Sequence, residues 1–244
     1  MGPGSAGGTH PGDIGRGGRL TMSVMKAALD SPDLLAEEVD RLRTALRLRN
    51  PVILAGLTGA HYEEMEPGKG LFRLPFWERE TMIPFPELTA QDENGQPLGT
   101  LDQALLAYYF STSDGTPQTG RWMGFSELPN GRFYTAAFQG YTGQKLMQTF
   151  GDDVDRFARV AVKLNGRAAS LGSQAFSFAI LPRVSLLVVC WLGDEDFLTS
   201  YRVLFDTAVS HHLPTDGCAI LGSVLTRRLI REVSMRNDDN EISN

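Results

Sequence analysis

Cysteine is scarce in this sequence, because only Cys190 and Cys218 occur among its 244 residues. Two thiols are too few to build a disulfide-stabilised scaffold, and too few to hold an iron–sulfur cluster from this chain alone. Cys190 lies inside an apolar run and is expected to serve as a small buried hydrophobic side chain. The sequence therefore excludes the disulfide-rich class and a self-contained iron–sulfur protein.

An excess of positive charge is also missing. The chain has 23 Lys and Arg residues against 29 Asp and Glu residues, a net charge of −6, so it lacks the basic face that nucleic-acid binding requires. No apolar run approaches the ~20 residues of a membrane-spanning helix. The first residues are rich in glycine and lack the apolar core of an export signal. We therefore expect a cytoplasmic protein with neither nucleic acid nor membrane as a partner.

Common cofactor and catalytic motifs are absent as well. The segment Gly56-Leu57-Thr58-Gly59 has neither the glycine spacing nor the lysine of a phosphate-binding loop. The chain has no GxSxG nucleophile motif and no EF-hand spacing. The sequence thus identifies no cofactor and no metal, and it leaves open whether the protein is an enzyme.

Composition divides the chain into three parts. Residues 1–21 are rich in glycine and poor in large apolar residues, which predicts a disordered tail. Residues 22–233 carry the periodic apolar patterns of a single folded domain. Residues 234–244 are mostly polar and are expected to form a C-terminal tail.

The chain is organised around residues 176–213. Residues 175–180 alternate between large and small side chains, and residues 184–191 are apolar on both faces, which predicts a half-buried strand followed by a fully buried one. Pro182-Arg183 between them predicts an antiparallel hairpin. Apolar residues at helical spacing then predict a helix; they are Tyr201, Leu204, Phe205, Ala208 and His212.

The remaining elements follow from the same patterns. Leu35, Val39, Leu42 and Leu46 form the apolar stripe of a helix, and residues 52–57 form a short apolar strand. Residues 121–128 and 132–139 are expected to form a hairpin around a Pro-Asn-Gly turn. The predicted fold is α+β: antiparallel hairpins that form a mixed sheet packed against four or five helices in a single domain.

An acidic loop, Asp194-Glu195-Asp196, follows the buried strand and allows two interpretations. Asp196 is suited to cap the helix predicted after it, where acidic residues also favour the helix dipole. Alternatively, Asp194 and Glu195 act as catalytic acid/base groups or cation ligands together with His211. Because His211 and His212 are adjacent, only one of them can face such a site.

A second candidate site consists of Arg and Trp residues on the predicted strands. Arg beside Trp on a strand is able to hold a carboxylate through two hydrogen bonds. The alternative is that the aromatic rings belong to the core and the Arg residues to a solvated strand face. The predicted ligand-binding residues are Arg73, Trp77, Arg121, Trp122, Trp191 and Asp206.

Several segments together resemble one uncharacterised prokaryotic family. They are residues 72–78 (FRLPFWE), 120–134 (GRWMGFSELPNGRFY), 137–152 (AFQGYTGQKLMQTFGD), 181–184 (LPRV), 191–197 (WLGDEDF) and 204–206 (LFD). This pattern is similar to the family called domain of unknown function three-seven-eight-six, and the resemblance covers roughly residues 31–229. Some members of that family carry an iron–sulfur module like that of corrinoid proteins, which implies an iron–sulfur or corrinoid protein as a partner.

Two functions are therefore expected. The first is a ligand-binding, partner-binding or accessory protein, with a link to redox or corrinoid metabolism implied by the resemblance. The second is a metal-dependent or acid/base enzyme that uses the acidic loop Asp194-Glu195-Asp196.

Overall fold

The computed structural model describes residues 32–241, and side chains from residue 33 to residue 234. The predicted N-terminal tail, residues 1–21, lies outside the described residues. Within the predicted C-terminal tail, residues 234–241 continue the last helix.

The described residues form seven α-helices and eight β-strands. The α-helices are α1 (Pro32–Leu46), α2 (Pro51–Thr58), α3 (Thr100–Thr112), α4 (Thr135–Tyr141), α5 (Gly143–Phe150), α6 (Val154–Lys163) and α7 (Thr215–Glu241). The strands are β1 (His61–Glu66), β2 (Lys69–Phe76), β3 (Arg79–Phe85), β4 (Trp122–Gly124), β5 (Arg167–Ala169), β6 (Gln174–Leu181), β7 (Val184–Trp191) and β8 (Ser200–Asp206).

The strands form two antiparallel sheets. The first has the order β1-β2-β3, and the second has the order β4-β8-β7-β6-β5. The backbone N–H of Trp77 donates to the carbonyl of Ile180 at 2.9 Å and joins the two sheets. The predicted α+β class, its antiparallel hairpins and its single domain are confirmed, and the hairpins are shared between two sheets.

The central hairpin has the predicted form. Strands β6 and β7 pair in antiparallel register and turn at Pro182-Arg183. Leu186, Val188 and Cys190 are fully buried on one face of β7. Leu187 and Val189 are fully buried on the other face, so this strand is covered on both sides as its two-sided apolar pattern indicates.

The helix predicted from Tyr201 to His212 is wrong. Residues 200–206 form strand β8, which pairs with β7, and a short 3-10 turn covers Val209–His211. Tyr201, Val203 and Phe205 also alternate, and all three are buried in the core. Pairing with the buried strand β7 satisfies the backbone groups of both strands, and this outweighs the coincidental helical spacing.

The strand predicted at residues 52–57 is wrong as well, because these residues belong to helix α2. The Asn50 side chain accepts hydrogen bonds from the backbone N–H groups of Val52 and Ile53, so Asn50 caps this helix. Pro51 takes the first helical position, and Gly59 ends the helix with φ 73°. Asn50-Pro51 therefore starts this helix.

The hairpin predicted at residues 121–139 is also wrong beyond its first strand. Only Trp122–Gly124 is a strand, and two 3-10 turns and helix α4 follow it. Asn130 adopts φ 60° at the predicted turn, but the chain continues into the turn Gly131–Tyr134. The close approach of Gly131 to the backbone carbonyl of Phe125 leaves no room for a side chain, so the two segments fold as a compact corner.

One buried apolar cluster extends through both halves of the described chain. Helices α1 and α2 contact α3, and α3 contacts the first sheet where Phe110 packs against Phe72. Helices α4, α5 and α6 contact α7 on the other side. Between residues 32 and 241, no helix has both the length and the apolar character needed to cross a membrane.

Candidate functional site

The acidic loop and His211 lie at opposite ends of the second sheet. The loop follows β7, and His211 follows β8. In the β7–β8 register Trp191 pairs with Ser200, whereas Leu186 pairs with Phe205, so the end of one strand meets the start of the other. The structure thus does not bring Asp194 and Glu195 together with His211.

Asp194 shapes its own loop. Its carboxylate Oδ1 accepts hydrogen bonds from the backbone N–H groups of Asp196 and Phe197, both at 2.9 Å. No helix follows, so the expected cap at Asp196 is wrong, and Asp194 instead closes a turn. Among the described residues, no group of three or more His, Cys, Asp and Glu side chains is arranged to hold a metal ion.

The two neighbouring histidines have different environments. His211 is half exposed, and its Nδ1 lies 2.7 Å from Oδ2 of Asp114. Hydrogen bonds from His211 and from the Thr116 backbone hold the pKa of Asp114 well below its usual range. His212 is fully buried and contacts the Ser113 hydroxyl and the Thr116 carbonyl through its two ring nitrogens.

Asp206 is a buried carboxylate whose oxygens are fully used by backbone and hydroxyl donors. It accepts from the backbone N–H groups of Thr119, Gly120 and Ala208 at 2.7–3.1 Å, and from the Thr119 hydroxyl at 3.1 Å. Arg121 lies next to this network, exposed, and its carbonyl accepts from the N–H of Thr207. Asp206 therefore fixes the loop before β4 against the end of β8.

Trp122 and Trp191 lie on the same outer face of the second sheet but at opposite ends, because Trp122 pairs with Asp206 at the end of β8 and Trp191 pairs with Ser200 at its start. Both rings pack against the buried cluster on this face, which consists of Ala175, Leu187 and Val189. The Arg202 guanidinium lies 5.8 Å from the centre of the Trp191 ring. These rings cover the apolar outer face of β7.

Arg73 and Trp77 lie on the first sheet, away from the other predicted residues. Arg73 forms an ion pair with Glu80 on the neighbouring strand at 2.9 Å. Trp77 sits at the β2–β3 turn, where the Arg228 guanidinium stacks 4.2 Å from its ring centre. The six predicted ligand-binding residues are thus divided among three places.

A pocket of about 410 Å³ lies in a different place, between α4 and α7. Helix α7 supplies one wall with residues at i, i+3, i+4, i+7 and i+11, which form one helix face. The remaining walls come from α3, α4 and the turns before α4. The lining residues are Leu101, Phe125, Tyr134, Ala137, Tyr141, Asp216, Ala219, Ile220, Ser223 and Arg227.

Asp216 is the unusual group in this pocket. It lies in the first turn of α7, and its Oδ2 is buried with no hydrogen-bond partner among the described residues. Burial raises the pKa of Asp216 from 3.8 to about 6. A carboxyl group with this pKa exchanges its proton near neutral pH, and such groups are enriched at functional sites.

Aromatic rings surround the carboxyl group. Burial, together with the charge of Asp216, raises the pKa of Tyr141, so this phenol stays protonated at neutral pH. Phe125 stacks on Phe138 at 4.2 Å, which holds the ring at the edge of the pocket in place. Arg227 lies eleven residues further along α7, about 16 Å along its axis at 1.5 Å per residue. The pocket is therefore apolar along its length and charged at its ends.

Sequence reasoning missed this site because its walls come from four separate segments. The one available signal was the α7 face, where Asp216 and Arg227 bracket Ala219, Ile220 and Ser223 at helical spacing. An acidic residue in the first turn of a helix is common and by itself indicates only a favourable dipole interaction.

The comparisons with known proteins add one result. The family model "Domain of unknown function (DUF3786)" matches residues 51–228, a range that includes every lining residue of the pocket. The comparison with curated proteins and the comparison with solved structures found no significant match. Because the family model matches well over half of the chain, this protein belongs to the domain of unknown function family DUF3786.

Proposed function

We propose that this chain is a small-molecule-binding protein that takes an aromatic or aliphatic amine in the pocket between α4 and α7. The observation that carries the proposal is the buried Oδ2 of Asp216, which has no partner among the described residues and lines a mainly apolar pocket. Ligand pockets characteristically combine apolar walls with a few fixed polar groups.

The chemistry of Asp216 favours a cationic ligand. A buried carboxylate without a partner is destabilising, and an ammonium group placed against it offsets that cost. The aromatic rings of Phe125 and Tyr141 supply stacking and cation–π contacts to the body of such a ligand. Binding of the cation should lower the pKa of Asp216 and release a proton at pH values near 6.

This proposal gives a site to the binding function expected from the sequence. A link to redox or corrinoid metabolism, with an iron–sulfur or corrinoid protein as partner, rests on the family resemblance alone. The alternative, a metal-dependent or acid/base enzyme, would use the acidic loop Asp194-Glu195-Asp196, which lies at the opposite end of the second sheet from His211.

Calorimetric titration of the full chain at pH 7.5 tests the proposal. Tryptamine, phenethylamine and octylamine serve as ligands, and indole-3-propionate serves as the negatively charged counterpart of tryptamine. We expect tryptamine to bind at least tenfold more tightly than indole-3-propionate, because the carboxylate of the latter is repelled by Asp216. Asp216→Asn should weaken tryptamine binding about tenfold or more, as expected for the loss of a desolvated ion pair.

Asp155→Asn is the matched control. It also removes a carboxylate from the first turn of a helix, but Asp155 is exposed on α6. The proposal is wrong if none of the three amines binds, if tryptamine and indole-3-propionate bind equally, or if Asp155→Asn and Asp216→Asn have the same effect.

A further inference from the structure

A second pocket of about 220 Å³ is also lined by residues of α3 and α7. Neighbouring residues divide the two pockets, since Leu101 and Arg227 line the first and Asp102 and Arg228 line the second. The β2–β3 turn and the loop after β3 complete its walls. The second pocket is therefore a separate cavity that shares two helices with the first.

Two of the six charged residues at this pocket, Glu80 and Asp92, are already bonded. Glu80 pairs with Arg73 at 2.9 Å, and Asp92 accepts from the backbone N–H groups of Asn94 and Gln96, both at 2.9 Å. These carboxylates serve the strand pair and the loop. They are not available to a ligand without loss of local structure.

Asp102 and Arg228 are different. Neither has a hydrogen bond or an ion pair with another side chain among the described residues, although both line the same cavity. The centre of the Arg228 guanidinium lies 4.2 Å from the centre of the Trp77 ring, so one side of this cation contacts the ring while its N–H groups have no partner among the described residues. Burial raises the pKa of Asp102 and lowers the pKa of Arg228, while the attraction between these two charges acts in the opposite direction on each group.

From this arrangement we infer that the second pocket binds a free α-amino acid as its zwitterion. The carboxylate binds the N–H edge of Arg228, and the ammonium group binds Asp102. The exposed residues Arg79 and Glu93 lie at the rim and add one charge of each sign.

The charges argue against simpler ligands. A lone anion would be attracted by Arg228 but repelled by Asp102. A lone cation would be attracted by Asp102 but repelled by Arg228. A zwitterion satisfies both groups, and a guanidinium edge matches a carboxylate with two parallel hydrogen bonds. Phe76, Trp77 and Leu98 provide apolar surface for the side chain, which favours an aliphatic amino acid of moderate size in a cavity of about 220 Å³.

Calorimetric titration of the full chain with L-valine, L-leucine and L-methionine at pH 7.5 tests this inference. Each blocked derivative removes one charge: the methyl ester of L-leucine lacks the carboxylate, and N-acetyl-L-leucine lacks the ammonium group. We expect at least one of the three amino acids to bind, and L-leucine to bind at least tenfold more tightly than either blocked form. This comparison uses the unmodified protein and does not depend on the folding of a variant.

Two substitutions then locate the site. Asp102→Asn and Arg228→Gln should each weaken amino-acid binding tenfold or more, whereas Arg231→Gln, at an exposed position of α7 outside both pockets, should leave it unchanged. The inference is overturned if none of the amino acids binds, if blocked and free leucine bind equally, or if binding survives both substitutions. Because the methyl ester is a cationic amine of the class proposed for the first pocket, its comparison with L-leucine is repeated in Asp216→Asn, so that either proposal can fail alone.

Discussion

Asp206 shows at the residue scale how one buried carboxylate holds two segments together. It accepts hydrogen bonds from Thr119, Gly120 and Ala208 and is only 1% exposed. Asp206→Ala leaves these buried N–H groups without an acceptor, and each such loss costs about 1–3 kcal/mol. We therefore expect the free energy of unfolding to fall by about 3 kcal/mol or more in urea denaturation.

Asp206→Asn separates charge from shape at the same position. In wild type, both carboxylate oxygens of Asp206 accept hydrogen bonds from N–H groups. The Asn amide keeps one acceptor oxygen, but its NH2 group cannot accept, so it faces N–H donors without bonding them. The free energy of unfolding of Asp206→Asn should lie between that of wild type and that of Asp206→Ala. An alanine variant as stable as wild type would show that the Asp206 network contributes little.

Individual residue roles were only partly predictable. Arg73, Asp194 and Asp206 were recognised as polar residues in notable positions, but their partners Glu80, the loop backbone and Thr119 come from the tertiary structure. His211 was predicted as functional, and the Asp114 carboxylate that orients it lies 97 residues away in sequence. A single sequence shows which residues carry chemistry but does not show which distant group meets them.

At the element scale, predictions succeeded where burial alone decided the structure. The two-sided apolar pattern of β7 and the stripe of Leu35, Val39, Leu42 and Leu46 gave the correct elements. They failed at β8 and α2, where apolar residues fit both periods over a short length. There the partner strand β7 and the Asn50 cap decided the outcome.

Helix α2 offers a test of this assignment. A Cβ at Gly56 would meet nothing within 4 Å, and Gly in the interior of a helix is unfavourable by about 0.5–1 kcal/mol relative to Ala. Gly56→Ala should therefore stabilise the protein by about that amount in thermal and urea denaturation.

Asn50→Ala should destabilise the protein by about 0.5–2 kcal/mol, because two backbone N–H groups lose their cap. If residues 52–57 formed a strand, neither effect would be expected.

Substitutions in the acidic loop distinguish a structural role of Asp194 from a role in cation binding. If Asp194 only closes the turn, Asp194→Asn should retain most of the stability, since the amide oxygen still accepts from Asp196 and Phe197, and Asp194→Ala should lose more. The exposed Glu195→Gln should have almost no effect.

Added Mg²⁺, Ca²⁺, Mn²⁺ or Zn²⁺ provides the decisive comparison for this loop. We expect the Tm of wild type to stay the same with each cation. A cation-dependent rise in Tm that disappears in Asp194→Asn would instead assign the loop to metal binding, because a ligand that binds only the folded state stabilises it.

At the scale of the whole molecule, residues of α3 and α7 line both candidate binding sites. Leu101 and Asp102 on α3 diverge into different pockets, as do Arg227 and Arg228 on α7. The placement of these two helices depends on contacts with distant segments, which a single sequence does not show. The fold class was therefore predictable, whereas the pockets required the packed structure.

The pH dependence of stability follows from two buried groups with opposite effects. Burial lowers the pKa of His212 below 6.5, so the unfolded chain takes up this proton first, and stability is lost as the pH falls through that range. Burial raises the pKa of Asp216 from 3.8 to about 6, so the folded chain takes up this proton first, and stability is gained as the pH falls from 6 towards 4. In wild type the two effects partly cancel between pH 7 and pH 5.

Asp216→Asn removes the titrating carboxyl group and therefore leaves only the effect of His212. The variant should be more stable than wild type at pH 8 by up to about 3 kcal/mol, since a pKa difference of one unit corresponds to about 1.4 kcal/mol. This advantage should shrink as the pH approaches 4, because the folded wild-type carboxyl is then protonated and no longer carries a buried charge. Below pH 7 the stability of the variant should fall more steeply than that of wild type, because the His212 effect is no longer opposed. Urea denaturation from pH 4.5 to pH 8, with Asp155→Asn as the exposed control, measures both slopes. If Asp216→Asn and wild type differ by a constant amount over this range, Asp216 does not titrate in the folded pocket, and the cationic ligand proposed for it loses its physical basis.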